Sequence, residues 1–178
     1  MRIIGGAWRR RLIHFPNLAD LRPTPDRVRE TLFNWLGQDL SGRACLDLFA
    51  GSGALGFEAA SRGASAVVLV EAHANAHAAL LENAHALDAR NVRVLRADAL
   101  EFLAHEGGNF DVIFLDPPFR RVDHDALLRQ VSRHLNEGGL VYLESDHPYA
   151  GAAAWQLHRQ ARAGNVHYHL LEHKKEVR

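Results

Sequence analysis

Four short apolar runs, at 44–49, 66–71, 91–97 and 110–115, recur along the chain, and each is followed by a stretch with the length and composition of a helix. Runs this short, bounded by turn formers, read as buried strands. Strands alternating with helices build βαβ units, and a parallel sheet with right-handed crossovers and helices on both faces follows. The helices are expected at 54–62, 73–87, 99–105 and 124–135. Gly138-Gly139 reads as a turn into a strand at 139–144, and two more strands are expected at 154–161 and 166–173. The last two are joined by only Ala163-Gly164-Asn165, short enough for a hairpin, so they read as antiparallel edge strands.

Ahead of this alternation, residues 1–15 interleave Ile3, Ile4, Trp8, Leu12, Ile13 and Phe15 with arginine, which suits an extended arm or hairpin. A helix is expected after the loop 16–24, with Thr24 as N-cap, Pro25 in the first helical position and Gly37 at the end. Val28, Leu32, Trp35 and Leu36 form its apolar stripe. A chain of 178 residues fits one domain, with an arm over 1–23 and a core over 24–178. Residues 1–43 hold eight Arg against four acids, and the remainder carries the compensating acidic surplus. Every cation in that first segment is Arg, suited to bidentate phosphate contacts, and Trp8 beside Arg9-Arg10-Arg11 adds a stacking surface for nucleic acid. A solvated surface is the competing reading of the same charges. No apolar stretch approaches the ~18 residues of a membrane span, and Met1–Gly6 lacks signal-peptide features, so a cytoplasmic location is expected. The one cysteine, Cys45, lies inside an apolar run and reads as core.

Two places carry chemistry. Gly51-Ser52-Gly53-Ala54-Leu55-Gly56 matches G-x-G-x-x-G between a strand and a helix, where glycines permit close ligand approach and the helix start supplies free N–H groups. Glu71 closes the next strand twenty residues after Gly51, where an acid accepts from ribose hydroxyls. Asp98 ends the third strand and suits either an adenine amine or a helix N-cap. The fourth strand runs into Asp116-Pro117-Pro118-Phe119, a stiff loop with a carboxylate, a free carbonyl and a ring. A hydride-transfer enzyme needs a carbonyl-polarising group and a proton carrier, which this loop does not supply. An exocyclic NH₂ donates two hydrogen bonds, and Asp116 and the Pro117 carbonyl can take one each while Phe119 stacks on the base. The freed lone pair can then attack a methyl group, so catalysis is positioning and electrostatics. His73 and His77 have i, i+4 helical spacing but no third ligand in sequence, so no metal is expected.

At these residues the chain resembles class I S-adenosylmethionine-dependent methyltransferases, and more narrowly the RsmD family, which methylates N2 of a guanine in bacterial 16S rRNA. The narrow match rests on Met1–Gly6 and on Leu21–Leu36; Leu46–Gly53 and Phe110–Phe119 are shared more widely among amino-methyltransferases. The resemblance implies a Rossmann-like α/β fold, a seven-stranded mostly parallel sheet with an antiparallel C-terminal strand. It implies that Asp47, Gly51, Ser52 and Gly53 face the methionine part of the cofactor, that Glu71 holds the ribose, that Asp98 and Ala99 hold the adenine, and that Ala72 also lies against the cofactor. Asp116, Pro117 and Phe119 would hold the target guanine. Arg22 and Thr24 would line the crevice, and Arg2, Arg9, Arg10, Arg11 and Arg27 would touch rRNA. It further implies S-adenosylhomocysteine as product, and as partners 16S rRNA in the small subunit or its assembly intermediate, with ribosomal proteins nearby; a monomer is expected. Family members usually carry a glycine between basic residues in the arm, where this chain has Arg9-Arg10-Arg11.

The residues themselves do not separate guanine from adenine, since both present an exocyclic amine. An adenine-N6 methyltransferase would use the same loop, although the chain has no separate domain for reading sequence. A catalytically idle RNA-binding assembly factor would not require the complete Asp-Pro-Pro-Phe loop.

Overall fold

The computed structural model describes residues 1–118 and 122–174. Its elements run α1 (Asp26–Leu36), β1 (Ala44–Asp47), α2 (Ala54–Ser61), β2 (Ala66–Glu71), α3 (Ala74–Ala86), β3 (Val92–Arg96), α4 (Ala99–His105), β4 (Phe110–Leu115), α5 (His124–Val131), β5 (Leu135–Ser145), β6 (Trp155–Ala163) and β7 (Val166–His173). One seven-stranded sheet has the order β3-β2-β1-β4-β5-β7-β6. The first five strands pair in parallel, and β7 is antiparallel to both β5 and β6. The strand order reverses between β1 and β4, which opens the crevice that such sheets use for ligands at their carboxyl ends.

Strand alternation sorts the core into two layers. Cys45, Val67, Leu69, Val112, Phe114 and Tyr142 pack with Val28, Leu32, Phe33, Leu36, Leu55, Phe57 and Leu80 of α1, α2 and α3. Leu46, Val70, Ile113, Leu115, Val141 and Leu143 face the other way, against Phe102 and Leu103 of α4 and Leu127, Leu128 and Val131 of α5. Phe114 is fully buried between Phe33 (centroids 6.1 Å apart) and Tyr142 (6.4 Å), so the strand that leads into the Asp-Pro-Pro loop is held firmly. Cys45 is buried in this core, and burial pushes its thiol up to about 12.

Residues 1–13 form the expected hairpin, with Arg2 opposite Leu12, and with Ile3 N–H donating to the Arg11 carbonyl (3.0 Å) and Ile13 N–H to that of Met1 (2.8 Å). Arg10 sits in the left-handed region at φ 71°, the conformation a glycine takes without strain. A buried ion cluster that sequence spacing alone did not single out fastens this hairpin to α1 and α2. Glu58, wholly inaccessible on α2, accepts from the backbone N–H of Ile4 (3.0 Å) and Gly5 (2.8 Å), from Arg29 (3.2 Å) and from Arg62 (3.0 Å). Arg29, equally buried, also donates to the Arg2 and Thr24 carbonyls and pairs with Asp26.

Four expectations are corrected. Pro25, not Thr24, occupies the N-cap position of α1; Thr24 is buried instead and gives its carbonyl to Arg29. Gly138-Gly139 does not precede β5 but lies within it, where the pairing with β4 shifts register. The helix expected at 124–135 ends at Val131 and passes through a 3₁₀ turn, Ser132–His134, because the ring of His134 is held at the Leu103 (2.9 Å) and Gly108 (3.2 Å) carbonyls. Of the closing hairpin only β6 is an edge strand; β7 inserts between β5 and β6 and buries Tyr168–Leu171, while most of β6 stays exposed.

Candidate active site

The carboxyl ends of β1, β2, β3, β4 and β5 bring the candidate residues to one edge of the sheet. After β1 the chain turns tightly, with Gly53 N–H donating to the Ala50 carbonyl at 2.7 Å. Gly53 has φ 81°, and a Cβ there would lie 2.5 Å from the Phe57 ring and 2.7 Å from Leu80. At Gly56 a Cβ would come within 2.0 Å of Leu69, so this third glycine of the motif lets α2 press onto β2. All eight residues of α2 are buried, and its N-terminus points into the crevice with the positive end of its dipole.

Asp47 lies beneath this turn, 2% exposed, and accepts from Gly56 N–H at 3.0 Å. Burial pushes its carboxyl up to about 7, against the opposing pull of the Gly56 bond; the charges of Glu71 and Glu144 add to the rise. An acid poised in this way gains most from a cationic partner such as an ammonium group. Glu71 is half-buried and holds the turn itself: Oε2 accepts from Gly51 N–H at 2.8 Å and Oε1 from His73 N–H at 2.9 Å. Each carboxylate oxygen has a second lone pair, so both can also accept from hydroxyls. Asp98 caps α4, accepting from Leu100 (2.9 Å) and Glu101 (3.1 Å) through Oδ1 alone. Ala72 and Asp98 are exposed, whereas Ala99 and Ser52 are buried.

At the end of β4, Asp116 is half-buried, Pro117 buried and Pro118 exposed. Phe119 lies outside the described residues. Burial, the charge of Glu144, a hydrogen bond with Glu144 and the charge of Asp47 together push the Asp116 carboxyl well above the usual carboxylate range. Glu144, at the end of β5, is the residue that sequence reasoning missed; only strand alternation with Tyr142 marks it, and such alternation is common.

The basic residues divide. Leu21 Cδ1 would lie 3.3 Å from a Cβ on Gly51, which sets the segment leading to Arg22 and Thr24 against the glycine turn. Arg22 and Arg27 are exposed there. Arg2, Arg9, Arg10 and Arg11 are exposed on the hairpin, whose turn packs elsewhere. Ala7 and Trp8 N–H donate to the Ser61 carbonyl (2.7 Å) and hydroxyl (2.9 Å), and Arg11 donates to the Ala86 carbonyl at 2.9 Å. Ser61 and Ala86 end α2 and α3, helices that begin at the crevice. The arginine-rich turn therefore stands about 12 Å from the glycine turn, the length of eight helical residues. His73 serves as the N-cap of α3, its Nδ1 accepting from Asn75 N–H.

Residues 1–172 match the family model described as "Conserved hypothetical protein 95". "Ribosomal RNA small subunit methyltransferase D" of Escherichia coli (strain K12) is 43% identical over 185 residues, spanning 99% of this chain and 91% of that protein. The chain belongs to the RsmD family. The Haemophilus influenzae protein of the same name is 39% identical over 97% of this chain and 93% of its own length. Among solved structures, "Putative methyltransferase yhhF from Escherichia coli" superposes on this RsmD-family chain with a TM-score of 0.88 at 41% identity, covering 98% of each chain. A putative methyltransferase solved with SAH shares the fold, with a TM-score of 0.69 at 19% identity over 82% of this chain and 48% of its own.

Proposed function

We propose that this RsmD-family protein transfers a methyl group from S-adenosylmethionine to the exocyclic N2 of a guanine in the 16S rRNA of the small ribosomal subunit. The single observation that carries the reading is the meeting of two unlike sites on adjacent strands: a glycine turn over the buried acid Asp47 at the end of β1, and Asp116-Pro117 at the end of β4. The names of the Escherichia coli and Haemophilus influenzae relatives support ribosomal RNA of the small subunit as substrate.

The residues present fit the methyl donor. Asp47 suits its ammonium group, the start of α2 its carboxylate, Glu71 and Ala72 its ribose, and Asp98 with Ala99 its adenine. Bound there, it supplies an electrophilic methyl on a sulfonium. The chain's own part is to hold the amine. Asp116 and the Pro117 carbonyl accept its two N–H bonds, which draws the nitrogen lone pair out of conjugation with the ring and aims it at the donor. Prolines at 117 and 118 leave the loop little backbone freedom, so the acceptors are set before the base arrives. Phe119 is the stacking surface in this reading. Arg22, Thr24 and Arg27 meet the RNA at the crevice, and Arg2, Arg9, Arg10 and Arg11 meet it farther along the flank, a spread that suits a large folded particle.

The test is incubation with methyl-labelled S-adenosylmethionine and small subunits lacking the modification, followed by nucleoside analysis. Label in N2-methylguanosine is expected. Label in N6-methyladenosine, or none, would overturn the reading.

A further inference from the structure

We propose that Glu144, held by Tyr142, is the positioning residue for Asp116, and that the two carboxyl groups share one proton and together accept the proton that the methylated amine loses. The proposal deepens the methyl-transfer reading and rests on it. The parallel pairing Phe114 with Tyr142 and Leu115 with Leu143 carries on by one step to set Asp116 beside Glu144. Alternation then puts both on the sheet face of Phe114 and Tyr142. Tyr142 is fully buried and Glu144 is 6% exposed. The Tyr142 hydroxyl donates to Glu144 Oε1 at 2.6 Å, and the Asp116 and Glu144 carboxyls are hydrogen-bonded to each other.

Two ionised carboxylates offer only acceptors, so this contact requires a proton between them. Among the described residues, the groups that bear on the pair are Asp47 from β1, Tyr142 from β5 itself and, through Tyr142, Tyr168 from β7, which stands opposite Glu144 in register. None of these is a cation, and none favours a second negative charge. Glu144 already accepts from Tyr142, which stabilises its anion, so the shared proton resides on Asp116. Burial and the Glu144 charge push Asp116 upward in agreement. One oxygen of Asp116 thereby remains an acceptor for an amine N–H, while its protonated oxygen points to Glu144.

The step balances. The nitrogen–methyl bond forms as the sulfur–methyl bond breaks, and that bond's electron pair stays on sulfur. The nitrogen, now cationic, gives its proton to Asp116 as the proton already on Asp116 passes to Glu144. The pair goes from one negative charge to none and then releases one proton to solvent. Throughout, the developing cation lies beside a single buried negative charge, which favours it without the cost of two.

The first arm of the test reads the free protein. Carboxyl-carbon NMR titration of the labelled wild type is expected to show Asp116 and Glu144 titrating together in two separated steps, with one proton retained across neutral pH. Glu144→Gln should leave one Asp116 step lying between those two. Two independent, ordinary titrations in the wild type would overturn the proposal. The second arm reads single-turnover methyl transfer. Glu144→Gln should lose about tenfold or more in rate with KM little changed, the scale of a proton-transfer contribution, and its acid limb should move to higher pH. Tyr142→Phe should shift that limb in the same sense by less, and Glu144→Asp should recover part of the rate. A wild-type rate and pH profile in Glu144→Gln, with Asp116→Ala inactive, would overturn this inference and leave the methyl-transfer reading standing. An active Asp116→Ala would overturn the methyl-transfer reading itself.

Discussion

Replacing Asp47 by Asn should stabilise the protein above neutral pH while weakening cofactor binding. The folded protein holds this carboxyl near 7, because it is buried and, among the described residues, only the Gly56 N–H donates to it. In the unfolded chain it ionises near 3.8, the ordinary value for an aspartate. Between those values the folded state keeps a proton that the unfolded state has lost, so stability falls as pH rises through the window. The displacement of about three pH units amounts to about 4 kcal/mol by pH 8. Asn is the same size, is neutral at every pH and can accept from Gly56 through its amide oxygen. The variant and wild type should therefore match near pH 4 and diverge steadily to about 4 kcal/mol near pH 8. Asp116 and Glu144 are raised as well, and both proteins keep them; the Asn variant relieves Asp116 only of the Asp47 charge, the smallest cause of its rise, so most of the difference reports on Asp47. Urea unfolding across pH 4.5–8.5 measures it, with pH values set as roughly half-unit steps over the window. Parallel stability curves for the two proteins would refute the reasoning. Calorimetry should find S-adenosylmethionine bound about tenfold or more weakly by the variant, the loss expected for a charged hydrogen bond.

Other perturbations probe other parts. Glu58→Gln should cost about 3–5 kcal/mol in urea unfolding, since it leaves Arg62 buried without its anion and Arg29 with only the exposed Asp26, and loosens the hairpin. Arg10→Gly should raise stability by about 0.5–1 kcal/mol, because the left-handed conformation at that position no longer strains a side chain; an unchanged midpoint would show the turn to be relaxed already. Neutralising Arg9, Arg10 and Arg11 should weaken binding to small subunits and flatten its dependence on salt, measured by filter binding over a salt series. An unaltered slope would show that the hairpin turn does not meet RNA.

Local rules and tertiary packing share responsibility for what was legible. The βαβ alternation depends on short-range pattern, so the strand and helix order follows from apolar runs and turn residues, and 66–71, 99–105, 110–115 and 166–173 keep the boundaries expected of them. The glycine turn is legible because each of its glycines answers a local steric need. The turn of the arm was not legible, since Arg10 adopts a glycine-like conformation that its residue type does not announce. Asp98 meets its N-cap reading directly. Arg29 and Glu58 were not legible: they lie 29 residues apart, and each sits on a helix face that apolar spacing assigns to the core. Glu144 escaped for a similar reason, since its neighbour Asp116 comes from a different strand and only the parallel register joins them. Whether β6 or β7 takes the edge also depends on pairing across the sheet, which a hairpin signal does not encode.

The most direct measurement of the central claim compares Asp116→Ala with wild type in two assays on the same preparations, S-adenosylmethionine binding by calorimetry and single-turnover methyl transfer to small subunits lacking the modification. Cofactor affinity should stay within a few-fold of wild type and transfer should fall by about a hundredfold or more, as removal of a positioned polar group at a reacting centre entails. Transfer at a near-normal rate in the variant would contradict that claim.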